Sequence, residues 1–187
     1  MNTVVTSREQ ILAASRKLIA EKGWAQVNIR SVAAACGVSV GSIYNYFSSK
    51  YELVCATVES VWCDIFHKPE QEEIFFDTER SVAWLYERMR YGCEQYPQFF
   101  TIHSMAFLHE EKADGKMRMQ QTWQHILEGL CLVMRRDQRI SAKAFDENFT
   151  VEQFADVLFS LMISALVRQD YNPDAVLEIV RRTLYFA

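Results

Sequence analysis

The sequence is poor in the residues that punctuate β-structure. Its 187 residues include only 6 glycines and 3 prolines, too few for the turns of a strand-rich domain, so long helices joined by short loops are expected. No apolar run reaches the ~18 residues of a membrane span. The polar N-terminus lacks the apolar core of a signal peptide, which points to a cytoplasmic chain without a membrane partner. The 5 cysteines are odd in number and form no CxxC pair, which argues against a secreted disulfide framework and a cysteine zinc site; they are expected as small reduced hydrophobes. HExxH, GxSxG, Walker and Rossmann glycine patterns are all missing. His103 and His109 stand six apart and share no helical face well. No metal, no cofactor and no enzymatic activity is therefore expected.

The net charge is −4, which by itself does not mark a nucleic-acid binder. Its distribution is more informative. The first 50 residues carry Arg8, Arg16, Lys17, Lys22, Arg30 and Lys50 against only Glu9 and Glu21. A mildly basic head on an acidic body suits a head that meets a polyanion.

Capping signals divide that head. Thr6-Ser7-Arg8-Glu9 reads as a capping box before a helix with Ile11, Leu12, Leu18 and Ile19 inward, ended by Gly23. Asn28 is the N-cap of a second helix, with Ile29, Val32, Ala33 and Cys36 at i, i+3, i+4 and i+7, stopped at Gly37. Ser39 caps a short third helix that buries Ile43 and Phe47. Ser49-Lys50-Tyr51-Glu52 is a further capping box, opening a fourth helix. Two capped helices about a glycine-containing turn form a helix-turn-helix signature.

The third helix is unlike a core helix. Its outward face carries Gly41, Ser42, Asn45 and Tyr46, with Tyr44 at the edge. In such motifs the second helix lies in the DNA major groove. Gly41 lets backbone approach DNA, Ser42, Tyr44 and Tyr46 can donate to phosphate oxygens, and Asn45 can reach a base edge or a phosphate. Lys50 meets a phosphate beside the free N–H groups of the fourth helix, and Arg30 can bond guanine bidentately.

The run Asn28-Ile29-Arg30, Val32-Ala33, Cys36-Gly37-Val38-Ser39, Gly41, Ile43-Tyr44, Tyr46-Phe47 and Lys50, with Leu53 beyond, resembles the N-terminal domain of TetR-type (tetracycline-repressor family) transcriptional regulators over roughly residues 7–60. This resemblance implies an all-α fold, with an N-terminal three-helix helix-turn-helix DNA-binding domain and a C-terminal helical domain for ligand binding and dimerisation. It also implies a homodimer on a palindromic double-stranded DNA operator, released by a small-molecule effector. Carried over by position, Arg30, Val40, Gly41, Ser42, Tyr44, Asn45, Tyr46 and Lys50 form the DNA surface, with the caps Asn28 and Ser39 at its margin. The departures are Asn28 where Thr is usual, Cys36 for a common Ala, Tyr46 for a frequent His, and Ser31 where an acid is common. They leave the operator sequence open.

The expected division is residues 1–50 as the DNA-binding domain, 49–67 as a connecting helix and 68–187 as the effector-binding and dimerisation domain. Helices are expected over Thr78–Cys93, from Pro97 to about His109, and over Met117–Arg136, Val151–Arg168 and a last segment capped by Asn172-Pro173. The aromatic- and methionine-rich middle is the candidate effector pocket: Phe99, Phe100, His103, Phe107, Met119, Trp123 and Ile126. The last two helices supply the candidate dimer face, with Phe154, Val157, Leu158, Leu161, Met162 and Ala165 on one and Val176, Ile179 and Val180 on the other. The chain thus reads as a sequence-specific DNA-binding regulator, a repressor released by its effector. The alternatives are an activator or partner-controlled regulator of the same fold, with Ile74–Phe76 as the docking patch, and a helical binding module or enzyme with an incidental helix-turn-helix.

Overall fold

The computed structural model describes residues 6–66, 72–97, 99 and 113–186, the side chains of 72, 73 and 113–122 excepted. Among the described residues there are eight α-helices, two short 3-10 segments and no strand. The chain divides into two compact units, Met1–His67 with Tyr91–His103, and Lys68–Arg90 with Ser104–Ala187.

In the first unit, α1 (Arg8–Lys22) begins at Ser7, one residue later than expected. The Ser7 hydroxyl accepts the Gln10 N–H at 3.2 Å, and the Gln10 side chain accepts the Ser7 N–H at 3.1 Å. Both Thr6/Glu9 and Ser7/Gln10 have capping-box spacing. Thr6 is itself buried and its carbonyl is engaged elsewhere, which leaves the cap to Ser7. Ile11, Ser15, Leu18 and Ile19 form the buried stripe of α1. Gly23, at φ +81, ends it in backbone that disfavours any side chain. A 3-10 turn, Trp24–Gln26, leads into α2 (Ile29–Cys36). Then come α3 (Val40–Tyr44) and α4 (Lys50–Ile65).

An aromatic cluster fills this unit. Phe99 is fully buried, edge-on to Trp24 at 6.1 Å and to Trp62 at 5.9 Å. Tyr96 donates from its hydroxyl to Asp64 on α4 at 2.8 Å. Burying a phenylalanine side chain contributes about 1.5–3 kcal/mol. Phe99, expected in an effector pocket, is therefore a core residue of the first unit. No local pattern announces this, because the packing joins residues far apart in the chain.

The second unit contains the start of α5 (Thr78–Gln95), whose last turn from Tyr91 counts with the first unit, and α6 (Ala113–Arg136), α7 (Val151–Arg168) and α8 (Asp174–Leu184). The expected helix from Pro97 to His109 lies almost wholly outside the described residues. Thr150 and Gln153 make a reciprocal capping box on α7. Asn172, not Pro173, supplies the side-chain bond at the start of α8, accepting the Asp174 N–H at 2.8 Å. Tyr86 and Met89 of α5, Leu130 of α6, Phe154 and Leu158 of α7 and Val180 of α8 are all buried.

Among the described residues, one charged group lies within this core. The Asp137 carboxylate, 1% exposed, accepts from the Thr78 N–H at 2.8 Å, the Tyr185 hydroxyl at 2.8 Å, and Arg139 through Nε and Nη2 at 3.0 Å each. Burial alone would raise its pKa. The bonds from Arg139, Thr78 and Tyr185 outweigh burial and hold it well below the usual carboxylate range. Asp137 thereby ties the start of α5, the end of α6 and the end of α8 together. The Thr78 hydroxyl beside it is buried without a hydrogen-bond partner among the described residues.

Candidate nucleic-acid interface

The helix-turn-helix is built from local hydrogen bonds that the sequence dictates. Asn28 Oδ1 accepts the N–H groups of Arg30 at 3.1 Å and Ser31 at 3.0 Å. Its Nδ2 donates to the Gln26 carbonyl at 3.2 Å and to Ser31 Oγ at 2.9 Å. With both ends so engaged, Asn28 acts as a structural cap, half-buried at the margin of the candidate surface. Gly37 closes α2 at φ +67, a conformation open to glycine at little steric cost. Ser39 Oγ accepts the Ser42 N–H at 3.1 Å and lies 2.9 Å from Ser42 Oγ. Ile43 and Phe47 are both 0% exposed, and this pair fixes which side of α3 faces inward.

The opposite side faces solvent. Val40 is 40% exposed, Tyr44 49% and Tyr46 37%. Arg30, Ser39, Gly41, Asn45 and Lys50 are exposed as well, and Ser42 is half-buried. The strip from Ser39 to Tyr46 contains no charged side chain, while Arg30 and Lys50 flank it in sequence. This composition offers backbone, hydroxyl and amide groups to a partner, with cations at the margin.

Gly41 has no intramolecular reason to be glycine. Its backbone is not left-handed. A Cβ added there would meet only Ser39 Oγ, at 3.7 Å, an ordinary contact. Glycine within a helix costs up to about 1 kcal/mol relative to alanine, and nothing among the described residues requires it here.

Tyr46 departs from expectation. Its hydroxyl donates to the Thr6 carbonyl, so that proton is not available to a phosphate in this state. The Arg8 guanidinium donates to the Tyr46 carbonyl at 3.4 Å and lies 4.6 Å above the Phe47 ring. The segment before α1 is thus fastened to the end of α3. Glu52, expected to reach back to its own cap Ser49, instead accepts from the N–H and the hydroxyl of Ser48, each at 2.7 Å, while Ser49 Oγ still accepts the Glu52 N–H at 3.1 Å.

The other predicted sites come together less well. Phe100, His103 and Phe107 lie outside the described residues, as does the side chain of Met119. Trp123 and Ile126 are half-buried on α6, with Trp123 edge-on to Phe159 at 5.5 Å. Of the candidate dimer residues, Phe154, Leu158, Met162, Ala165, Val176 and Val180 are buried in the chain's own core. They cannot also face a second copy. Val157 and Ile179 remain exposed and Leu161 half-buried. The cause is geometric: on each helix the widest apolar stripe is taken by the protomer core. Among the described residues no cysteine forms a disulfide, and burial pushes the Cys36 thiol up, away from a reactive thiolate. Among the described residues no cluster of His, Cys, Asp and Glu could hold a metal ion, and no helix is long and apolar enough to cross a membrane.

Comparison with known proteins places this geometry. Residues 11–57 match the family described as bacterial regulatory proteins, tetR family. An uncharacterized HTH-type transcriptional regulator, YerO of Bacillus subtilis (strain 168), is 38% identical over 52 residues, a match that takes in 28% of this chain and 18% of that relative. Among solved structures, a transcriptional regulator from Rhodococcus sp. Rha1 aligns with a TM-score of 0.68 at 17% identity, covering 96% of this chain and 98% of that one. BioQ bound to its natural double-stranded DNA operator aligns with a TM-score of 0.54 at 14% identity, covering 90% and 91%. At such identities the structural likenesses show the fold.

Proposed function

We infer that this chain, whose N-terminal head belongs to the tetR family of bacterial regulatory proteins, is a sequence-specific DNA-binding transcriptional regulator. The observation that carries the inference is the solvent-facing strip of α3. It is uncharged, polar and aromatic, has a glycine that the fold does not need, and is flanked by Arg30 and Lys50. α3 enters the major groove with Val40, Gly41 and Ser42 nearest the bases. Tyr44 and Asn45 follow the groove wall, and Lys50 neutralises a phosphate at the start of α4. Arg30, exposed in the first turn of α2, reaches a base edge or the adjacent backbone.

One short recognition helix supplies few base contacts, so a pair of heads on a palindromic operator is the working assembly. In this reading the second copy docks on the faces of α7 and α8 left outward, those of Val157, Leu161 and Ile179. BioQ, which shares the fold, was solved on its operator. In the same reading the chain works on cytoplasmic DNA, as a repressor. The helical second unit then takes a small effector near Trp123 and Ile126. The effector acts by favouring a dimer state in which both heads no longer seat, and only as strongly as it prefers that state.

The test is selection from randomised duplex DNA followed by sequencing. The expected result is an enriched palindrome with two half-sites. No enrichment at moderate salt would refute the reading.

A further inference from the structure

We propose that Glu52 is an internal stand-in for a DNA phosphate, restraining Arg8 and so limiting the sequence-independent part of DNA binding. The inference rests on the regulator reading above and adds two residues to its interface.

The argument starts from a displaced bond. A Glu at N3 ordinarily accepts the N–H of its own cap. Here Glu52 passes Ser49 and takes both donors of Ser48 on one oxygen, at 2.7 Å each. Its other oxygen lies 3.8 Å from Arg8 Nη1. A backbone N–H, a hydroxyl and a guanidinium therefore surround a single carboxylate. That donor set also suits a phosphate. The carboxylate lies where the recognition helix ends: Arg8 is seated on Phe47 and on the Tyr46 carbonyl, and Lys50 opens the next helix two residues before Glu52. Both members of the pair are partly exposed, so the contact is open to competition from a polyanion. When the head meets DNA, Glu52 holds Arg8 back from the phosphate, so the complex forgoes the affinity that a released Arg8 would contribute. The interface thus contains a third cation, beside Arg30 and Lys50, held in reserve by an acid of the same chain.

The experiment is fluorescence anisotropy of the full chain on a mixed-sequence duplex, titrated across salt concentrations. It compares wild type, Glu52→Gln, Glu52→Asp, Arg8→Gln and the Glu52→Gln/Arg8→Gln pair, with melting curves to verify folding. Glu52→Gln is expected to tighten binding about two- to fivefold per head, the range set by an exposed ion pair. It should also steepen the dependence of log affinity on log salt by about 0.9 per head, one phosphate's share. Arg8→Gln should change little in wild type and remove the gain in the Glu52→Gln background. Glu52→Asp keeps the charge but shortens the reach, so it should steepen the slope too; it decides the matter if Glu52→Gln is unfolded. If wild type binds while neither Glu52 variant alters the slope, or if Arg8→Gln costs the same in both backgrounds, Glu52 acts only as a distant negative charge and the proposal is wrong. If wild type binds no duplex in a salt-dependent way, the regulator reading fails first and the proposal with it.

Discussion

Replacing Gly41 by alanine adds one methyl group to the second residue of α3. Within the protomer that methyl meets only Ser39 Oγ at 3.7 Å, and the backbone is already compatible with a side chain. Folding should therefore gain from the change. Alanine is favoured over glycine in a helix by about 0.5–1 kcal/mol, with the lower end expected in a helix of five residues. DNA binding should move the other way. If the glycine marks a close approach to a base or sugar, the methyl overpacks the interface at a cost of about 1–3 kcal/mol, which is about 5- to 150-fold in affinity per head. Chemical denaturation measures the first effect, and anisotropy on a selected duplex the second. Opposite signs are the signature expected. Undiminished DNA affinity in a stabilised Gly41→Ala protein would refute the reasoning, because the glycine would then serve neither the fold nor the contact.

Three further outcomes follow from the same geometry. Lys50→Ala should weaken binding to all duplexes alike and flatten the salt slope by about 0.9 per head, seen in the same titration. Asp137→Ala strands the Thr78 N–H, the Tyr185 hydroxyl and part of the Arg139 guanidinium, and should cost about 3–5 kcal/mol by denaturant unfolding. Because the folded pKa of Asp137 is lowered, its contribution is complete above the ordinary aspartate value of about 3.9 and is lost as pH falls from there toward the folded value; the gap between wild type and Asp137→Ala should shrink over that acid range and stay constant at neutral pH. Thr78→Val removes a buried hydroxyl that has no hydrogen-bond partner among the described residues while keeping the backbone bond to Asp137, and should be neutral or stabilising by up to about 1 kcal/mol; a clear loss of melting temperature would show that the hydroxyl is satisfied.

What could be read from the sequence was what short-range chemistry determines. Asn28, Ser39 and Ser49 cap where their side chains can reach an N–H two or three residues on, and Gly37 ends α2 where left-handed backbone is needed. The inward pair Ile43 and Phe47 follows from helical spacing alone. Misplacements came from two sources. One is degenerate local chemistry: Thr6 and Ser7 both have a capping partner at the right spacing, and Glu52 can reach either Ser48 or Ser49. The other is long-range contact. Nothing local to Tyr46 announces Thr6, 40 residues away, nothing near Phe99 announces Trp24, and Asp137 is a loop acid until Thr78 and Tyr185 meet it. For α7 and α8 the apolar periodicity identified helices correctly but could not say which apolar residues the protomer keeps for itself.

The central claim is that the outward strip of α3 touches DNA, and oxidative labelling of exposed side chains read by mass spectrometry tests it most directly. Tyr44 in the strip and Phe186 at the far end of the chain, 78% exposed, should both label in the free protein. Adding the selected duplex should protect Tyr44 and Tyr46 and leave Phe186 as reactive as before. Unchanged labelling of Tyr44 and Tyr46 under saturating duplex would contradict the account.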